Sequence, residues 1–86
     1  MKIKAYRRFK RAYGDLTSVI QKKVDKQLVL LSEDLSHPSL HTKKIKGKEG
    51  IWELRVDFHY RLTFEYIEDT IFLRVVGNHD EVLRDP

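Results

Sequence analysis

The hydrophobic period of this chain changes near Gly50, and that change restricts the possible architectures more than any other feature. Before it, apolar residues recur at helical spacing; after it, they recur at every second position. Phe9, Ala12, Tyr13 and Leu16 mark a short helix that Gly14 and Asp15 interrupt. Ile20, Val24, Leu28, Leu31 and Leu35 mark a longer one, with Lys22, Lys23 and Lys26 on its polar face. Ser18 and Gln21 have capping-box spacing at its start, and Pro38 closes it, because helical geometry is disfavoured at the preceding His37.

The second half reads as strands. Trp52, Leu54, Val56 and Phe58 alternate with Glu53, Arg55 and Asp57, and Tyr60, Leu62, Phe64 and Tyr66 alternate with Arg61, Thr63 and Glu65. Glu68 and Asp69 supply a turn into a third strand, Thr70 to Val76. Met1 to Tyr6 also alternates, through Ile3 and Ala5, and is a short edge-strand candidate open to pairing with another chain. The expected class is α+β, an N-terminal helical hairpin packed on a small antiparallel β-sheet, with the leucine stripe covering the apolar face of the meander.

With 86 residues the chain has room for one core, so a single domain over residues 1–86 is expected. A composition that is 41% hydrophobic and 35% charged is that of a folded module rather than a disordered tail. Having no cysteine, it has no disulfide framework, no thiolate zinc site and no thiol nucleophile, in keeping with a reducing cytoplasm. Neither a membrane-spanning apolar run nor a signal-peptide segment is present, so no membrane partner is expected.

Charge is unevenly placed. Lys2, Lys4, Arg7, Arg8, Lys10 and Arg11 precede the first acid, Asp15, and Lys43, Lys44, Lys46 and Lys48 surround Gly47. Concentrated positive charge of this kind suits an anionic partner such as a phosphate backbone; spread over a solvated surface it needs none. If Leu54, Leu62 and Leu73 face the helices, the two-residue period turns Arg55, Arg61 and Arg74 to the opposite face, where they form an anion cradle or pair across strands with Glu53 and Glu65. His37 and His41 are four apart, but Pro38 between them prevents the helix that would make them a metal pair, so neither metal nor cofactor is expected. Trp52 alternates with Leu54 and is assigned to the core.

Four segments taken in order, His41-Thr42-Lys43-Lys44-Ile45-Lys46-Gly47, Gly50-Ile51-Trp52-Glu53-Leu54-Arg55-Val56, Tyr60-Arg61-Leu62 and Val76-Gly77-Asn78-His79, resemble the RelE/ParE superfamily of bacterial toxins. The resemblance spans nearly the whole chain. It implies the toxin of a type II toxin–antitoxin pair, held inactive by a cognate antitoxin in a heterotetramer or other oligomer. RelE-like members enter the ribosomal A site and cut messenger RNA without metal; ParE-like members inhibit DNA gyrase on essentially the same fold, so fold alone does not choose between them. An inactive relative that only binds antitoxin is a third possibility, because several RNA-cutting relatives carry a tyrosine beyond the last strand and none follows Tyr66 here.

By position in the family motifs, the resemblance implies Lys44, Lys46, Arg55 and Arg61 as charge-stabilising or base residues and His79 as general acid. His59 is a secondary catalytic candidate, and Lys43, Lys48 and Arg74 are RNA-binding candidates. The chemistry fits the residue types. Arginine and lysine carry the charge that stabilises a phosphorane, and histidine titrates near neutrality, as proton transfer requires.

Overall fold

The computed structural model describes Met1 to Pro86, in the order β1 (Lys2–Ala5), α1 (Arg7–Gly14), α2 (Ser18–Glu33), a 3₁₀ turn (Pro38–Leu40), β2 (Lys43–Lys44), β3 (Ile51–Arg55), β4 (Tyr60–Ile67), β5 (Thr70–Asn78) and α3 (His79–Arg84). The strands form one sheet in the order β1-β5-β4-β3-β2. No helix is long and apolar enough to cross a membrane.

The expected N-terminal helical hairpin is not what opens the chain: a strand, β1, comes first and the two helices follow it, and the sheet is mixed rather than antiparallel. β1 runs parallel to β5, with Lys2 opposite Thr70 and Ala5 opposite Leu73. Parallel neighbours cannot be joined by a tight turn. The partner of the first strand is therefore the last, a pairing that local periodicity does not reveal. It also places the two basic segments on opposite sheet edges, which four strand spacings put roughly 19 Å apart.

The apolar face does what its pattern predicts. Val24 and Leu31 of α2 are buried with Leu54, Leu62, Phe64 and Ile71 of the sheet, and Trp52 stacks on Phe64 with ring centroids 6.4 Å apart. The helix start differs by one residue from the expected capping box. Thr17, not Ser18, is the N-cap, its hydroxyl accepting from the Ile20 amide at 3.3 Å. Gln21 is thereby freed to donate to the Tyr13 carbonyl at 2.9 Å, which ties α2 to α1.

The other face of the sheet is only half open. α3 turns back over it, bringing Val82 against Gly77, where an added Cβ would stand 3.4 Å from the valine methyl. Beyond α3, the Pro86 carbonyl accepts from both Thr63 Oγ1 and Arg74 Nε at 3.0 Å, and Arg8 bonds the Asp85 carbonyl. Arg74 lies where β5 carries an extra residue, Thr63 being paired with Val75 and Phe64 with Leu73. It also contacts Glu65 at 3.4 Å, so it is engaged under the C-terminal segment. What stays uncovered is the end of β3 and the start of β4.

Strand β3 also ends earlier than alternation predicts. The amides of Val56 and Asp57 both donate to the Tyr60 carbonyl, closing a turn that leaves Phe58 78% exposed rather than in the core.

Candidate anion-binding site

The uncovered corner is built around a pairing that a purely structural sheet avoids. Arg55 on β3 lies directly opposite Arg61 on β4, and like charges in register repel. Arg61 is held by its own turn, donating to the carbonyls of Asp57 (2.7 Å), Phe58 (3.2 Å) and Tyr60 (3.0 Å). Arg55 has less: its Nε is buried with no hydrogen-bond partner. An unmet buried donor costs about 1–3 kcal/mol, more on a charged group. An anion between the two guanidinium groups would relieve the repulsion.

These arginines line a cleft of about 350 Å³ together with His41, Thr42, Lys43, Glu53 and His79, and none of its walls is hydrophobic. Lys43, Arg55 and Arg61 face a single carboxylate, Glu53, which is 5% exposed and lies 3.6 Å from Lys43. Those four side chains alone make the cleft net positive.

Four further contacts fix its walls. Gln27, buried in the apolar stripe of α2, donates through Nε2 to the Arg55 carbonyl at 2.7 Å and the Ser39 carbonyl at 3.2 Å, locking β3 to the 3₁₀ turn. Thr42 Oγ1 donates to the Leu35 carbonyl at 3.1 Å. Between these anchors His41 adopts a left-handed backbone, φ 49°, which few residues other than glycine take up unless held there. On the far side, the His79 amide donates to the His59 carbonyl at 2.8 Å, so the first residue of α3 is positioned by the β3–β4 turn.

That turn depends on Asp57. Its carboxylate accepts from the amides of His59 and Tyr60, each at 2.9 Å, and pairs with Lys23 at 3.1 Å. Burial pushes the carboxyl up, but Lys23 and the two amides outweigh it and hold the group below the usual aspartate range. A carboxyl depressed on folding contributes stability above its unfolded pKa and loses it as pH falls through the folded value. Asp57→Ala is therefore expected to cost about 1–2 kcal/mol at neutral pH. In urea denaturation across pH, its deficit from the parent chain should shrink as the pH drops below the aspartate range; a constant deficit would mean that the charge plays no part.

The structure brings Arg55, Arg61, His79 and Lys43 into one cleft and leaves Lys44, Lys46, Lys48 and Arg74 outside it. The reason is strand parity: β2 pairs Lys43 with Glu53 and Lys44 with Trp52, so the two lysines face opposite sides. Lys44 Nζ stands 5.3 Å from the Trp52 ring centre, in a separate recess with Lys48, while Lys46 is exposed on the adjoining loop. His59 lines a second recess of about 340 Å³ with Phe58, Asn78 and Asp80, and this recess shares Arg61 and His79 with the cleft. His37 Nδ1 is engaged by Ser39, and His41 alone of the two lines the cleft.

Three residues of the site were not evident from the sequence. Gln27 had a signal, a polar residue on the apolar stripe between Val24 and Leu31. Phe58 had one in the preceding Asp57, a turn-forming residue. His41 had none as a partner of His79, from which it is separated by nearly half the chain.

Taken together, a mixed sheet with a helical hairpin on one face and a polar, cationic corner on the other defines an α+β domain with a cationic cleft. Its fold is that of the RelE-, YoeB- and YafQ-type toxins. The RelE–RelB complex from Methanococcus jannaschii matches with a TM-score of 0.78 at 23% identity, over 96% of this chain and 99% of that one. YafQ from E. coli matches with a TM-score of 0.77 at 14% identity, over 94% and 96%. The YoeB/ParE toxin from Agrobacterium tumefaciens matches with a TM-score of 0.79 at 13% identity, over 92% and 99%. No family model matches the sequence, and no curated protein matches it significantly.

Proposed function

We propose that this protein is the toxin of a type II toxin–antitoxin pair and acts as a metal-independent endoribonuclease on messenger RNA in the ribosomal A site. The observation that carries the reading is the facing pair Arg55 and Arg61 in the same cleft as His79. A protein that only docks on gyrase has no need of two opposed guanidinium groups beside an imidazole. An antitoxin partner is supported by the fold's occurrence in antitoxin–toxin complexes.

In the proposed reaction the 2'-oxygen bonds to phosphorus as the bond from phosphorus to the 5'-oxygen breaks. The hydroxyl proton passes to a base, and His79 protonates the departing oxygen, leaving a 2',3'-cyclic phosphate and a 5'-hydroxyl end. Arg55 and Arg61 stabilise the extra negative charge on the phosphorane, where fixed cations are most effective. The base is assigned to His41, which lines the cleft. Lys44, Lys46 and Lys48, on the neighbouring loop, contact the RNA backbone beyond the scissile phosphate, and Lys43 does so at the cleft wall. His59 contacts the nucleotide from the second recess, and Arg74 serves the C-terminal segment.

Tightly controlled expression tests this. Protein synthesis, followed by pulse labelling, is expected to stop with discrete cuts in messenger RNA while DNA synthesis continues. His79→Ala should slow cleavage about 10²- to 10⁴-fold, the usual contribution of a placed proton donor. DNA damage with translation intact would refute the nuclease in favour of a gyrase inhibitor, and growth without arrest would point to a chain that only binds antitoxin.

A further inference from the structure

We propose that the recess between the β3–β4 turn and the start of α3 is a nucleobase subsite, in which the Phe58 ring stacks on the base adjoining the phosphate held by Arg55 and Arg61. The inference rests on the RNA reading above and adds a residue and a ligand group to it.

Phe58 is the most exposed large hydrophobic side chain in the protein. It is not loosely placed. On one side the Asp57 carboxylate holds the amides of His59 and Tyr60; on the other, Arg61 bonds the carbonyls of Asp57, Phe58 and Tyr60. The His59 ring meets the Phe58 ring edge to face, with centroids 5.0 Å apart, which orients the aromatic further. A turn built this firmly around a ring left in water suits a ligand with a flat face.

Position and lining identify that ligand. The recess shares Arg61 and His79 with the anion cleft, so a group bound in it lies next to a phosphate bound there, as a base lies next to its own backbone. Phe58 is its only hydrophobic lining residue; Asn78, whose Oδ1 caps α3, keeps its amide nitrogen for the hydrogen-bonding edge of a base, and Asp80, whose Oδ1 lies 3.2 Å from His79 Nδ1, keeps its second carboxylate oxygen. A protein hot spot would need an apolar surround that excludes water, which is absent here. Aromatic stacking accepts any base, and alanine substitution of a stacking ring typically costs one to two orders of magnitude in affinity.

The test uses a 2'-O-methyl tetranucleotide, which cannot be cleaved, carrying 2-aminopurine beside its central phosphate, and a matched tetranucleotide that is abasic there. The wild-type chain is expected to quench 2-aminopurine fluorescence. Phe58→Ala should abolish the quenching and weaken binding roughly ten- to a hundredfold, while Phe58→Trp retains both. The abasic oligonucleotide should bind wild type and Phe58→Ala equally. Equal binding of the 2-aminopurine oligonucleotide to wild type and Phe58→Ala would overturn the subsite and leave the RNA reading standing, as would a loss confined to antitoxin binding. No binding of either oligonucleotide to wild type would overturn the subsite, whereas the RNA reading stands or falls on the expression assay above.

Discussion

Arg55→Met is expected to abolish toxicity while leaving the protein as stable as before, or more so. The substitution keeps the aliphatic stem and removes the guanidinium, and with it the repulsion from Arg61 across the ladder and the buried Nε that has no partner. Losing one pre-aligned donor to a transition-state oxygen typically slows a reaction about 10²- to 10³-fold. Cleavage should fall by that amount, measured by primer extension on messenger RNA, and the midpoint of thermal unfolding should stay level or rise. This opposition of activity and stability is the expected mark of a group retained for its ligand rather than for the fold. A chain that loses stability with activity would identify Arg55 as a structural residue, and one that remains toxic would remove it from the site.

The second large effect separates two phenylalanines that strand alternation treats alike. Phe64 is 1% exposed and stacked on Trp52, whereas Phe58 stands in solvent. Truncating a buried phenylalanine costs about 3–5 kcal/mol, the lost burial plus the cavity left behind. Small domains have only about 5–15 kcal/mol in all. Phe64→Ala is therefore expected to leave the chain marginally folded or unfolded, with its urea midpoint greatly lowered or its transition lost. Phe58→Ala should unfold within about 0.5 kcal/mol of the parent, as exposed substitutions generally do. Similar costs at the two positions would mean that the β3–β4 turn is packed into the core.

Much of the architecture was legible because it is written locally. The stripe from Ile20 to Leu35 specifies the long helix, the alternation from Trp52 to Leu62 specifies two strands with Arg55 and Arg61 on the face away from the leucines, and Pro38 marks the break between them. Each of these depends on neighbours within a few residues, where side-chain direction follows directly from backbone period. The one-residue error at the start of α2 is of the same local kind: Thr17 and Ser18 are both good caps, and the backbone selects between them.

Other features depended on contacts that no local window contains. The parallel pairing of β1 with β5 joins the two ends of the described chain. Lys43 rather than Lys44 enters the cleft because β2 meets β3 in one register and not its neighbour, and a shift of one residue turns every side chain to the opposite face. Phe58 leaves its expected strand because Asp57 and Arg61 close a turn beneath it.

By itself, then, the sequence determined the helices, most of the strands and the shared face of the two central arginines, since periodicity and turn chemistry act over a few residues. Only the tertiary structure decided that residues 41–43, Arg55, Arg61 and His79 line one cleft, because sheet order, strand register and the fold-back of α3 bring together parts of the chain whose separation carries no local signal.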